Sequence, residues 1–181
     1  MCDFGFTVLE RHFPQERFPL DQRSDWYVLM EIGGADDLEE RVHNSLENLF
    51  ETGLVSDAVI ATSQAQRDAL WRLREATPEA NRLSEAVCNS DTSVPLSQIQ
   101  QYIDRTYQAI ADIDPALTIN CYGHIGDGNI HFNVFPPAGR SKRQIIENDR
   151  ELLDTIRTAI NQTTVACNGS ISAEHGIGRL K

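Results

Sequence analysis

The stretch "YGHIGDGNIHFNV", Tyr122 to Val134, decides the fold, because it alternates in character on either side of a Gly-Asp-Gly-Asn turn signal. Taking Asp127-Gly128 as the two central residues of a tight turn makes it an antiparallel hairpin. His124 then faces His131, and Tyr122 faces Asn133. Successive side chains of a strand point to opposite faces, so these four share one face with Asn120 and Asn129. The other face carries Ile119, Cys121, Gly123, Ile125, Ile130, Phe132 and Val134. One side is core. The other is a polar row with two opposed imidazoles, whose Cβ atoms would lie ~4.5–5.5 Å apart. An ordinary half-exposed hairpin would show the same alternation, but its outer row usually holds charges. This row has no Lys, Arg, Asp or Glu, which points to a concave or covered site.

Working outward, "WYVLMEIGG" (Trp26 to Gly34) and "DAVIAT" (Asp57 to Thr62) are short apolar runs that predict strands. Between them, Leu38, Val42, Leu46, Leu49 and Phe50 predict a helix that stops at Gly53. A second helix starts at Ser63, with Gln66 completing a capping box, and is limited by Pro78. A third enters near Ser97 with Ile99, Ile103, Tyr107 and Ile110 as its buried stripe. A fourth runs from about Ser141 to Gln162. Helices interleaved with strands that include a tight hairpin indicate an α+β fold. A mainly antiparallel sheet with helices packed on one face, in a ferredoxin-like arrangement, is the simplest match.

The 181 residues, 40% of them hydrophobic, suit one domain with a substantial core. A formal charge of −11 argues against nucleic acid or an anionic membrane as partner, since phosphate binding needs clustered Lys and Arg. The N-terminus has neither the basic region nor the unbroken apolar run of a leader or anchor. Four scattered cysteines, with no CxxC, predict reduced thiols in a cytoplasmic protein.

A second cluster stands at Gly169 to Gly178, "GSISAEHGIG", where Glu174 and His175 are fenced by glycines. Two histidines and a carboxylate are a recurrent ligand set for Zn²⁺, Mn²⁺ or Fe²⁺. His124, His131 and Glu174 form such a set, and His175 remains as a base with an ordinary pKa near 6.5. Neighbours on a regular strand point apart, so Glu174 and His175 share a site only if the glycines bend the chain. His12 and His43 have no such setting. The residues alone leave open a self-sufficient metalloenzyme and a non-catalytic binding module.

"GHIGDGNIHFNV" and "GSISAEHGIGRLK", with "LWRLREATPEA" (Leu70 to Ala80) and "DTSVP" (Asp91 to Pro95) in the same order, resemble the C-terminal domain of FAD-linked oxidases of the vanillyl-alcohol-oxidase superfamily. The resemblance is to the D-2-hydroxyacid dehydrogenase type: D-lactate dehydrogenase, D-2-hydroxyglutarate dehydrogenase and the glycolate oxidase FAD subunit. It implies FAD as cofactor and a divalent metal, usually zinc, on His124, His131 and Glu174. It further implies a 2-hydroxy acid substrate touched by Asn133, His175 as catalytic base, and Arg74 on the substrate carboxylate. Members acting on a dicarboxylic substrate carry a Lys shortly before the D-x-S-x-P segment, where this chain has Asn89. No glycine-rich phosphate loop of a flavin-binding domain precedes the hairpin. Residues 1–181 therefore read as a single substrate-binding domain, a fragment whose FAD-binding partner domain and closing segment lie elsewhere and which would be inactive alone. The electron acceptor is unspecified, a homodimer stays open, and the full-length protein could lie at the inner membrane surface.

Overall fold

The computed structural model describes residues 1–34 and 36–174. Its centre is an antiparallel sheet made of β1 (Cys88–Asn89), β2 (Thr92–Ser93), β3 (Thr118–His124) and β4 (Asn129–Phe135). β4 is the middle strand, with β3 on one edge and the two short strands in line on the other. The short strands keep a single register against β4: Cys88 faces Val134, Asn89 faces Asn133, Thr92 faces Ile130 and Ser93 faces Asn129. They act as one interrupted strand.

The hairpin forms, but not about Asp127-Gly128. Its loop is Ile125 to Gly128, so His124 faces Asn129, and His131 faces Tyr122. The expected His124–His131 pairing is thus corrected to a diagonal one. Asp127 causes the shift by turning its carboxylate onto the backbone N–H of Asn129, 3.0 Å away. Gly128 completes the turn at φ +77°, seated where an added Cβ would lie 2.0 Å from the Val94 carbonyl oxygen. A slip of two residues preserves the identity of both faces, whereas a slip of one would have exchanged them.

The apolar face packs as expected against α4 (Ile99–Ile113) and α6 (Arg150–Ala166), which also pack on each other. Phe132 is fully buried, with Tyr102 and Tyr107 edge-on at 5.5 and 5.9 Å between ring centroids. Ile110, Ile156 and Ile160 close the core around it. The helix expected over 141–162 is broken at Asp149, whose φ of −149° ends α5 (Lys142–Asn148) and begins α6. Arg140 holds the break through an ion pair to the Asp149 carboxylate at 2.8 Å.

Two helices also cover part of the polar face. α1 (Asp3–His12), which no periodicity argument above anticipates, packs against α3 (Gln64–Leu83) and β3. Phe6, Val8, Leu9, Leu73, Ala80 and Phe135 form this second core. Ser63 caps α3 by accepting from the Gln66 N–H, as expected, but the Gln66 side chain accepts from the Thr62 N–H instead of closing the capping box on Ser63. Pro78 does not end the helix, although it lacks the N–H that would bond the Arg74 carbonyl. Burial of Thr77, Ala80 and Asn81 on either side of it holds the turn together.

The two runs expected to be buried strands are not in the sheet. Val28, Met30 and Ile32 are 64, 63 and 50% exposed, and Val59 is 49% exposed. A strand needs a free edge, and the outer edge of β3 is engaged at its middle by Cys2, whose N–H donates to the Cys121 carbonyl at 2.9 Å. The helix α2 (Leu38–Glu51) between them forms but buries none of its residues. No helix among the described residues is long and apolar enough to cross a membrane.

Candidate active site

The polar face is a three-by-three array. β4 contributes Asn133, His131 and Asn129; β3 contributes Asn120, Tyr122 and His124 alongside them. The register shared by β1 and β2 places Asn89 and Ser93 at the corresponding ends of the third row and brings Asp91 opposite His131. The Asn120 end is closed by α3, where the Asn120 amide donates to Asn81 Oδ1 at 2.8 Å. Asn133 is buried and donates to the Asn120 carbonyl at 3.3 Å. The His124 end is open, with His124 and Glu174 about half exposed.

His131 is set up as a neutral nitrogen donor. Its Nδ1 lies 3.0 Å from the Ser90 carbonyl, which can only accept, so Nδ1 carries the hydrogen and Nε2 keeps its lone pair. Burial lowers its pKa, outweighing the opposite pull of the Ser90 bond and of Glu174 and Asp91. Tyr122 packs against the ring at 5.1 Å.

The segment after α6 crosses to this face. Ser93 and Ser170 exchange backbone hydrogen bonds at 2.9 and 2.8 Å. Beyond them, Glu174 reaches within 3.5 Å of His124 Nε2. His124 Nε2 also accepts from the Arg74 guanidinium at 3.0 Å, and that guanidinium lies 5.1 Å over the Tyr122 ring. Arg74, His124, His131 and Glu174 therefore converge. The expected base, His175, lies outside the described residues.

The ligand atoms that all come within 4.8 Å of one another belong to Asp91, His131 and Glu174. Tyr122 stands in the place expected of His124, which the corrected register moves one step along the sheet, and Asp91 flanks His131 from the other edge of β4. Beyond opening "DTSVP", Asp91 carries no sequence signal for the site. An acidic residue that opens an extended segment ahead of a helix gives no sign of facing inward. A nitrogen donor fixed by its second ring nitrogen, with the Glu174 carboxylate close by and the His124 imidazole 3.5 Å from that carboxylate, suits a borderline divalent cation such as Zn²⁺. The Oδ1 of Asn129, whose side-chain amide donates to Asp91, is buried and has no hydrogen-bond partner among the described residues. The donors present fit such an ion.

Residues 5–181 match the family "FAD linked oxidases, C-terminal domain". The chain belongs to this family. Among curated proteins it is 33% identical over 98% of its length to the mitochondrial D-2-hydroxyglutarate dehydrogenase of Arabidopsis thaliana, covering 30% of that protein. It is 35% identical over 90% of its length to the D-2-hydroxyglutarate dehydrogenase of Xanthomonas citri pv. viticola, covering 34%. A putative mitochondrial D-lactate dehydrogenase of Schizosaccharomyces pombe is 28% identical over 97% of the chain, 34% of its own length. The chain thus spans about a third of the length of these relatives. As an FAD-linked oxidase domain it carries the array of the hairpin on a family framework whose relatives are dehydrogenases of 2-hydroxy acids by name.

Proposed function

We propose that this chain is the substrate- and metal-binding domain of an FAD-dependent dehydrogenase that oxidises a D-2-hydroxy acid to the 2-oxo acid. The observation that carries this reading is the convergence of Arg74, His124, His131 and Glu174 on one polar face, in a chain of this family. His131, Glu174 and His124 would hold a divalent metal, zinc first. When bound, the metal supplies a Lewis acid for the substrate oxygens, and the flavin, carried mainly by a domain outside this stretch, supplies a two-electron acceptor.

The chain's own residues have distinct tasks. Arg74 offers a planar fork to the substrate carboxylate, and the Tyr122 ring beneath its guanidinium, at 5.1 Å, supports it there. The His124 Nε2 lone pair serves one partner at a time. When it turns to a cation, the Arg74 N–H that it now accepts is released toward the carboxylate. Asn133, the expected substrate contact, stands two positions from His131 on the same face of β4 but is buried with its amide on the Asn120 carbonyl, so any contact with substrate would need that end of the face to open. His175 takes the proton of the 2-hydroxyl while the hydrogen on the same carbon leaves as hydride with its electron pair, so that the carbon–oxygen double bond forms.

Asn89 lies on the site face opposite Asn133. A neutral amide there gives no cation for a second carboxylate, which favours a monocarboxylic 2-hydroxy acid of the lactate kind over 2-hydroxyglutarate. The test begins with the metal. Calorimetric titration of the chelator-stripped chain with zinc should give one ion per chain, and His131→Ala should remove it. An undiminished stoichiometry in that variant counts against the site. Turnover by the metal-loaded chain without flavin would favour the self-sufficient metalloenzyme instead.

A further inference from the structure

The segment bearing Glu174 lies far along the chain from the hairpin, and something must hold it at the correct height over His131. Asp91 is in contact with both. It is buried, 6% exposed, and its register places it directly opposite His131 on the neighbouring row. Its Oδ2 accepts the backbone N–H of Ala173 at 3.3 Å, and the Glu174 N–H lies 3.2 Å from Oδ1 and 3.1 Å from Oδ2. Oδ1 also accepts from the side-chain amide of Asn129 at 3.0 Å. Asn129 is the residue facing His124.

One carboxylate therefore binds the backbone of the Glu174 segment and a side chain of the central strand. A carboxylate has about four acceptor positions, and these bonds take most of them. A buried carboxylate without such donors would be strongly unfavourable, so its bonds and its placement stabilise each other. We propose that Asp91 is the positioning residue of this site rather than a metal ligand: it clamps the Ala173–Glu174 backbone to the hairpin and so delivers the Glu174 carboxylate to the histidines. These bonds are all within the protein, so on this proposal the clamp forms without the ion. This rests on the metal-site reading above, and the experiment separates the two.

The test uses Co²⁺ as probe and Asp91→Asn as variant, with the amides of Ala173 and Glu174 followed by hydrogen exchange. Asparagine keeps the shape but replaces one acceptor oxygen with a donor that confronts the two backbone N–H groups. The expected result is Co²⁺ binding weaker by about 10- to 100-fold, the usual effect of losing a group that orients a ligand. The visible bands of the bound ion should stay in place, and both amides should lose protection. Unchanged affinity overturns the proposal. So do shifted bands with the two amides still protected, which would make Asp91 a direct ligand. Should the variant fail to fold, the metal-free wild type decides: its two amides are protected if the clamp is preformed, and free exchange there overturns it. A wild-type chain that takes no Co²⁺ refutes the metal reading, while the same amides still report on the clamp.

Discussion

At the scale of single residues, the site is governed by lone pairs. His124 Nε2 is held by the Arg74 guanidinium, which donates to it at 3.0 Å. Arg74→Ala should therefore act in opposite directions on two ligands. Metal affinity of the chain should rise by about 3- to 10-fold, the equivalent of a neutral or weakly charge-assisted hydrogen bond that no longer competes. KM for 2-hydroxy acids in the flavin-loaded protein should rise strongly. Calorimetry and steady-state kinetics measure the two, and a fall in both affinities would mean that Arg74 supports the site instead of competing for it. His131 has a pH signature. Burial lowers its folded-state pKa, so below the unfolded value near 6.5 the unfolded chain binds more protons than the folded one. Its contribution to stability is present above that pH and is lost as pH falls through the folded value. With chelator present, wild type should lose more stability between pH 7 and pH 5 than His131→Asn. Parallel denaturation midpoints in the two proteins would refute this.

At the scale of elements, the hairpin shows how one turn residue sets a register without touching the faces. Asp127-Gly was the correct signal and the wrong centre. The Asp127 carboxylate caps Asn129, and Gly128 uses the left-handed region as the last loop residue. Gly53 has a similar φ of +70°, but nothing lies within 4 Å of where its Cβ would be, whereas Gly128 faces the Val94 carbonyl at 2.0 Å. Gly128→Ala should therefore lower stability by about 1–3 kcal/mol, and clearly more than Gly53→Ala. Urea midpoints of the two variants give the comparison; equal shifts would mean that conformational strain, and not the close approach, dominates at Gly128.

At the scale of the whole molecule, two cores meet at the sheet, and all four cysteines are buried and free. Burial pushes the Cys88 thiol up to about 11 and raises that of Cys121 further, so neither offers a useful thiolate fraction near neutrality. The native protein at pH 8 should react slowly with iodoacetamide, and all four thiols should react once urea unfolds it. Rapid labelling of Cys88 or Cys121 in the folded state would contradict the packing. The exposed run around Val28 to Ile32 shows the converse. Its apolar pattern predicted a buried strand, but pattern reports what a segment can bury and not whether a partner edge is free.

The sequence by itself determined which faces the hairpin has, which residues make its core, and that His124, His131 and Glu174 are available as a two-histidine, one-carboxylate set, whereas Arg74 entered only through the family resemblance. Alternation along a strand is a local property, and residue types declare their donors without a fold. Only the tertiary structure decided that His131 pairs with Tyr122, that α1 and α3 close one end of the polar face, and that Asp91 lies between β4 and the Glu174 segment. Those facts depend on hydrogen bonds between residues far apart in the chain, where the competition among possible partners is settled by packing and leaves no periodic trace in the sequence.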